Sequence, residues 1–139
     1  MLVAAIVIGL TVTGELFGSR IDNTATTPET QIAEDITAEE AFTLIQENQQ
    51  NPDFIIIDVR TPEDFAQGHI ENAINIDKDS AAFSDYIKAL DISRAYLIYC
   101  QSGKKSSQAL ALMAVLDFTE IYNMSGGITA WQAAGLPVV

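Results

Sequence analysis

The chain has 139 residues, 48% of them hydrophobic, which is enough for one compact domain with its own core but not for two. Its nineteen acidic and seven basic residues give a net charge of −12, which argues against nucleic acid and anionic membrane surfaces as partners because both would repel it. A single cysteine and a single histidine exclude an internal disulfide, a multi-cysteine zinc site and His-rich metal ligation. We expect no metal and no cofactor.

Residues 1–19 form an apolar N-terminal segment whose first charged residue is Glu15. As a helix, residues 2–14 would span about 20 Å, short of the roughly 30 Å hydrocarbon core of a bilayer. This length suits a signal peptide better than a membrane span, although no basic residue precedes the run and no clear cleavage site follows it. We therefore expect an exported (periplasmic or extracellular) or membrane-anchored protein. An uncleaved anchor through residues 2–14, a buried strand or helix of the domain, and a cytoplasmic location are the alternatives.

Residues 20–34 differ from both of their neighbours in composition. They are rich in threonine, contain one proline and show no hydrophobic periodicity. This composition predicts a polar linker, and it assigns the folded domain to residues 35–139.

Helices and strands alternate along the predicted domain. The strand candidates are short apolar runs, as in sheets that are covered on both faces. The helices begin at capping residues or end at glycine or proline. The first predicted element is a helix that begins at the capping-box residues Thr37 and Glu40 and ends at Asn51-Pro52. A strand at 54–59, a short helix between Thr61 and Gly68, a strand at 73–77 and a helix at 82–90 follow it. The last predicted elements are a strand at 95–99, a helix at 107–116, a strand at 120–124 and a short helix around Trp131. This alternation predicts an α/β domain with a largely parallel sheet, whose sites lie at the carboxyl ends of the strands.

Cys100, the only cysteine, directly follows the strand at 95–99 and precedes a polar loop that contains Gly103. A strand, a short loop and a helix N-terminus in this order form a cradle for anions, because the loop N–H groups point inward and the helix dipole adds positive potential. A thiol at the start of such a loop should have a lowered pKa, and the neighbouring Lys104 and Lys105 strengthen the effect. We therefore predict a reactive nucleophile rather than the small buried hydrophobe that a lone cysteine usually is.

Three motifs in the right order and at the right spacing resemble the rhodanese family, and the match runs from about residue 36 to residue 138. The motifs are a first signature at 56–70 that continues at 73–76, an active-site loop from Tyr99 through Cys100 to Ser106, and a C-terminal signature at 126–131 followed by 135–138. The resemblance implies a single rhodanese-like domain with a five-stranded, mostly parallel sheet and helices on both faces.

The resemblance also implies an activity. It implies a sulfurtransferase in which Cys100 accepts the outer sulfur of a donor such as thiosulfate, becomes a persulfide and passes the sulfur to cyanide or a thiol. The expected partners are therefore a small anionic sulfur donor and a thiol or cyanide acceptor, with a protein sulfur acceptor as a further candidate. We expect a monomer.

The expected substrate-binding residues lie mostly in the loop after the cysteine. Backbone N–H groups from Gln101 to Ser106 can hold negative charge, and Gly103 permits a backbone conformation that a side chain would obstruct. Lys104 and Lys105 would attract the donor. Ser102 and Ser106 can add hydroxyl donors, and Ser106 is also a candidate helix cap. Family members often carry arginine where this chain has Gln101, which leaves the identity of the donor more open than the type of reaction.

Other polar residues are interpreted as structural. Asp58 and Arg60 form a charged pair at a strand end and resemble residues that tie the sheet to neighbouring loops, with Arg60 also a candidate for the rim of the site. Glu63 and His69 are given structural roles because an ionised cysteine needs no general base. Gly126-Gly127 is assigned to a tight turn.

Two other functions compete with sulfur transfer. Phosphatase or arsenate reductase chemistry in related folds uses an arginine six positions after the nucleophile, and Ser106 stands there instead. The remaining alternative is a non-enzymatic module that binds a partner, senses redox state or relays sulfur through Cys100. The retained cysteine, glycine and lysines favour the enzyme.

Overall fold

The computed structural model describes residues 30–139. The signal-like or anchor segment at 1–19 and the linker residues 20–29 lie outside this part of the chain, so export and membrane attachment stay predictions. Within residues 30–139, no helix has both the length and the apolar character needed to cross a membrane.

The described residues form a five-stranded sheet in which all pairs are parallel. The strands are β1 (Ile32–Ile36), β2 (Phe54–Asp58), β3 (Ile74–Asn75), β4 (Ala95–Tyr99) and β5 (Glu120–Met124). The helices are α1 (Ala38–Glu47), α2 (Pro62–Gln67), α3 (Phe83–Lys88), α4 (Lys104–Val115) and α5 (Gly127–Ala133). Along the sheet the strand order is β1-β5-β4-β2-β3. The predicted α/β fold is confirmed.

The central strand β4 shows why the strands read as continuous apolar runs. Successive side chains point to opposite faces of a sheet, and both faces are covered here. Tyr96 and Ile98 enter a core formed with α3 and α4, whereas Leu97 and Tyr99 enter a second core formed with α1 and α5. The helices therefore lie on both faces, as predicted.

The end of the predicted linker needs correction, because β1 begins at Ile32 and includes residues 32–34. Only the first and last residues of this strand are isoleucine, and the three residues between them are exposed. Its local pattern is therefore weak. The strand forms because it pairs with β5 from Ile32 opposite Glu120 to Ile36 opposite Met124, a partner almost ninety residues away.

Several predicted elements have different limits in the structure. The helix predicted at 107–116 begins at Lys104, because Gly103 adopts a left-handed conformation as its N-cap and the helix follows at once. The strand predicted at 73–77 pairs only over Ile74–Asn75, where it meets the last two residues of β2. By contrast, the predicted capping box of α1 is confirmed: the N–H groups of Thr37 and Glu40 donate to each other's side chains over 2.8 and 3.1 Å.

The parallel sheet brings three loops to one edge. The residues after β2, β4 and β5 all leave the sheet at its carboxyl end, so Arg60, Cys100 and Gly126-Gly127 lie on neighbouring connections. This edge is where parallel sheets place their binding sites.

Candidate active site

Cys100 follows the central strand β4, and three donors converge on its sulfur. The Gly103 N–H donates to Sγ over 3.1 Å, the Ser106 N–H over 3.4 Å, and the Ser106 hydroxyl oxygen lies 3.3 Å from Sγ. The side chain is only 2% exposed. The sequence predicted a cysteine in an anion cradle, and the sulfur is indeed enclosed by backbone N–H groups and not by apolar side chains alone.

The Ser106 hydroxyl has one proton and two acceptors within reach. Its oxygen lies 3.3 Å from Cys100 Sγ and 3.2 Å from the Gly103 carbonyl oxygen. An ionised sulfur is the stronger acceptor, so ionisation of Cys100 favours donation to Sγ. Ser106 is fully buried and is not the N-cap of α4, a position that Gly103 takes. The predicted capping role is therefore wrong, and Ser106 contacts the sulfur from behind.

Helix α5 orients the first peptides of the loop. The carbonyl oxygens of Cys100 and Gln101 accept hydrogen bonds from the N–H groups of Ile128 and Thr129, over 2.9 and 3.2 Å. In a trans peptide the N–H points away from the C=O. Because these carbonyls point to α5, the Gln101 and Ser102 N–H groups of the same peptides point away from α5, and the Ser102 N–H is one of the donors that lower the pKa of Cys100.

Two glycines permit this contact between the loop and α5. Gly103 has φ = +96°, and a Cβ there would lie 3.0 Å from the Gly126 nitrogen. Gly127 has φ = +59°, and a Cβ there would lie 2.4 Å from the carbonyl oxygens of both Cys100 and Gln101. The sequence assigned Gly126-Gly127 to a turn and missed this role. The available signal was a glycine pair directly after a strand that neighbours the cysteine strand.

The pKa of the Cys100 thiol is lowered from its ordinary value. Burial acts to raise the pKa, but hydrogen bonds to the sulfur from the Ser106 side chain and from the backbone N–H groups of Ser106, Ser102 and Gly103 outweigh burial. Such bonds favour the charged form of the group that accepts them. The structure thus supports a thiolate in spite of the small exposure of the sulfur.

A shallow cleft of about 160 Å³ gives access to the sulfur. It brings together five of the residues predicted for substrate binding, and the sequence missed two others, Thr61 and Asp64. Gly103 and Ser106 were also predicted to bind substrate, but they contact the sulfur without lining the cleft. The lining residues are Arg60, Thr61, Asp64, Cys100, Gln101, Ser102, Lys104 and Lys105.

Arg60 holds the loop after β2 against the cysteine loop. Its guanidinium binds the Asp58 carboxylate at 2.7 Å and donates to the Gly68 carbonyl oxygen at 2.6 Å, with Arg60 and Asp58 only 7% and 0% exposed. The Arg60 Nη1 also lies 3.5 Å from the side-chain oxygen of Gln101. The Nε2 of Gln101 in turn donates a hydrogen bond to the Thr129 hydroxyl over 3.0 Å. The geometry fits the structural role predicted for the pair, with one edge of Arg60 in the cleft.

The two lysines of the loop differ in their partners. The Lys105 ammonium donates a hydrogen bond to the Asp79 carboxylate, and this contact raises the pKa of Lys105. Lys104 has no ion pair within residues 30–139. The sequence treated both lysines as free cations, which the structure supports only for Lys104.

The remaining candidate residues lie away from the sulfur. His69 stacks on Phe65 with ring centroids 3.7 Å apart, and its Nδ1 lies 2.8 Å from the Phe65 carbonyl oxygen.

A larger groove of about 570 Å³ lies beside α1 and the start of β2, and its only ionisable lining residues are Glu71 and Arg94. Among residues 30–139, no three histidine, cysteine or acidic side chains are grouped so that they could hold a metal ion.

A family model described as the rhodanese-like domain matches residues 39–134. The chain belongs to the rhodanese family. Two curated relatives are named as sulfurtransferases, which supports this activity at the level of the family. The chain is 34% identical to the thiosulfate sulfurtransferase GlpE of Pseudomonas putida over 79 residues. This alignment covers 57% of this chain and 70% of the relative. Over 96 residues the chain is 33% identical to a sulfurtransferase of Allochromatium vinosum, covering 69% and 88% of the two chains.

Solved structures agree with the family assignment. A rhodanese-related protein from Thermoplasma volcanium superposes with a TM-score of 0.64 and is 29% identical, covering 76% of this chain and 97% of that one. A rhodanese-like domain protein from Staphylococcus aureus gives a TM-score of 0.61 at 30% identity, covering 70% and 90%. The rhodanese fold and the family's sulfurtransferase activity are therefore supported together.

The contact between Gly127 and the cysteine loop can be tested with two alanine variants. Gly135 also has a positive φ (+73°), but a Cβ there meets nothing within 4 Å, so Gly135→Ala should cost only about 1 kcal/mol from backbone strain. Gly127→Ala adds a clash with two carbonyl oxygens and should cost at least about 3 kcal/mol. Urea denaturation measures both losses. Equal losses in the two variants would show that the loop does not need the space beside Gly127.

Proposed function

We propose that this rhodanese domain moves sulfane sulfur from a small anionic donor of the thiosulfate type to a thiol or cyanide acceptor through a persulfide on Cys100. The observation that carries the proposal is the convergence of the Gly103 N–H, the Ser106 N–H and the Ser106 hydroxyl on Cys100 Sγ. An inert core cysteine has no need of three polar donors, whereas a nucleophilic thiolate does.

The first half of the reaction loads the cysteine. The Cys100 thiolate attacks the outer sulfur of thiosulfate, a new S–S bond forms, and the old S–S bond breaks with its electron pair leaving on sulfite. The three negative charges of the reactants become one on the persulfide and two on sulfite, so the step needs no proton and no oxidant. No general base is required, which agrees with the position of His69 away from the cleft.

The loop is suited to stabilise the charge during this transfer. Attacking and leaving groups are both anionic, so the site must offset repulsion between them. Backbone N–H groups that are already oriented can do so without reorganising during the reaction. The bonds that α5 makes to the Cys100 and Gln101 carbonyl oxygens orient the Gln101 and Ser102 N–H groups, and the start of α4 orients those of Gly103 and Ser106.

The second half returns the enzyme to its starting state. A thiolate or cyanide attacks the outer sulfur of the persulfide, and the electron pair of the broken bond returns to Cys100 as a thiolate. The lowered pKa of Cys100 favours this step because a more stable thiolate is a better leaving group. The same property therefore serves both half-reactions.

Intact mass spectrometry tests the persulfide directly. After incubation with thiosulfate, the protein should gain the mass of one sulfur atom, and cyanide should remove it. Cys100→Ser serves as the control and should gain nothing, because a hydroxyl at this position is not ionised. A wild-type protein without the adduct would favour the non-enzymatic binding or redox-sensing module instead.

The pH dependence of Cys100 alkylation tests the cradle. The thiolate fraction rises as pH passes through the pKa, so a lowered pKa places the midpoint of the iodoacetamide rate below that of an unperturbed cysteine thiol. Ser106→Ala removes a donor to the charged form, which should raise the midpoint and slow alkylation at neutral pH.

Ser107→Ala is the matched control for this measurement. Ser107 is the next residue of α4 but is exposed, so its replacement should leave the midpoint unchanged. A wild-type midpoint at or above that of a free thiol, or equal profiles for Ser106→Ala and Ser107→Ala, would contradict the proposed role of the cradle.

A further inference from the structure

We propose that Asp79 is a specificity-determining residue that competes with the sulfur donor for Lys105, so that the site favours donors with one negative charge over donors with two. The inference rests on the proposed function and deepens it by naming the charge class of the donor. It concerns a residue outside the cysteine loop, on the connection between β3 and α3.

Asp79 is placed beside the cleft by its own turn. The Asp77 side chain accepts the Asp79 N–H over 2.9 Å, and the Ser80 N–H donates to the Asp77 carbonyl oxygen over 3.1 Å. From this turn the Asp79 carboxylate reaches Lys105, which lies in the first turn of α4 and lines the cleft with Cys100. The acidic partner thus meets the lysine at the edge of the site.

The other charges at the cleft leave little to attract a second negative charge. The Arg60 guanidinium is paired with the buried Asp58 carboxylate. Asp64 adds a carboxylate to the lining, and Lys104 is the one lining cation without an ion pair within residues 30–139. A donor with two negative charges would have to draw Lys105 from Asp79 to gain a second cation, whereas a singly charged donor can use Lys104 alone.

The competition should be modest, because both partners are about half exposed. Exposed ion pairs contribute little, so releasing Lys105 should change the affinity for a dianion by roughly twofold to fivefold. Such a change is measurable in KM. It should fall at high salt, which screens exposed charges.

Two donors separate charge from chemistry. Thiosulfate has two negative charges, and methanethiosulfonate has one because a methyl group replaces an oxygen. In both cases the outer sulfur moves to the Cys100 thiolate with breakage of one S–S bond, and sulfite or methanesulfinate leaves with the electron pair. Because the leaving groups also differ, the two donors are compared by how much each KM changes in the same variant, and a difference in that change reports on charge at the site.

The variants are Asp79→Asn, Lys105→Gln and the double variant. Asp79→Asn should lower the KM for thiosulfate roughly twofold to fivefold and should change the KM for methanethiosulfonate less. Lys105→Gln removes the cation and leaves the Asp79 carboxylate unpaired at the edge of the cleft, so it should raise the KM for thiosulfate and should change the KM for methanethiosulfonate less. In the Lys105→Gln background, Asp79→Asn should lose most of its effect.

Asp53→Asn is the matched control. Asp53 is exposed, forms a similar surface pair with Arg94 and lies at the start of β2, the end of the sheet opposite Cys100. It removes the same net charge and should leave both KM values unchanged. The inference is overturned if Asp79→Asn behaves like Asp53→Asn, or if its effect is the same with and without Lys105.

A binding measurement keeps this inference separate from the proposed function. Sulfate, a dianion that cannot donate sulfane sulfur, should slow iodoacetamide alkylation of Cys100, and at lower concentration in Asp79→Asn than in wild type. If wild type accepts no sulfur from either donor, the proposed function fails while this comparison still tests Asp79. Equal sulfate protection in wild type and Asp79→Asn, or none in either, would refute the competition.

Discussion

The active site depends on the hydrogen bonds that the Cys100 and Gln101 carbonyl oxygens accept from the first turn of α5. A peptide that turns its C=O to a fixed partner must turn its N–H the other way, so the Gln101 and Ser102 N–H groups point away from α5, and the Ser102 N–H bonds to the sulfur. Together with the Ser106 and Gly103 donors at the start of α4, this bond explains how a nearly buried sulfur can have a lowered pKa. The contact requires Gly127, because any side chain there would occupy the space of those carbonyls.

A buried ion pair supports the cleft from the other side. Asp58 and Arg60 are both nearly inaccessible, and Arg60 also reaches the Gly68 carbonyl and the Gln101 side chain. Two charges in the interior persist because each satisfies the other with several hydrogen bonds, and loss of either would leave one uncompensated. The pair therefore couples the end of β2 to the loop after β4. The nucleophile sits on a frame made from three neighbouring strand ends.

The electrostatics of the site differ from the average of the chain. With a net charge of −12, the protein as a whole repels anions, yet the cysteine loop presents backbone N–H groups and Lys104, which has no ion pair in the part of the chain that the structure describes. Neutral dipoles stabilise the thiolate at short range, so the loop does not need a large positive charge.

Much of the fold and the centre of the site could be predicted from the sequence, because their causes are local. The capping box at Thr37, the apolar strands and the cysteine followed by Gly103 each depend on residues a few positions apart. Strand β1, the place of Gly127 against the loop and the pairing of Lys105 with Asp79 depend on segments that meet only after folding. The sequence alone determined the family, the place of Cys100 between a strand and a helix N-terminus, and the type of cradle around it. Only the tertiary structure decided which peptide groups face the sulfur and which cations stay free, because hydrogen bonds and ion pairs between distant segments leave no local pattern.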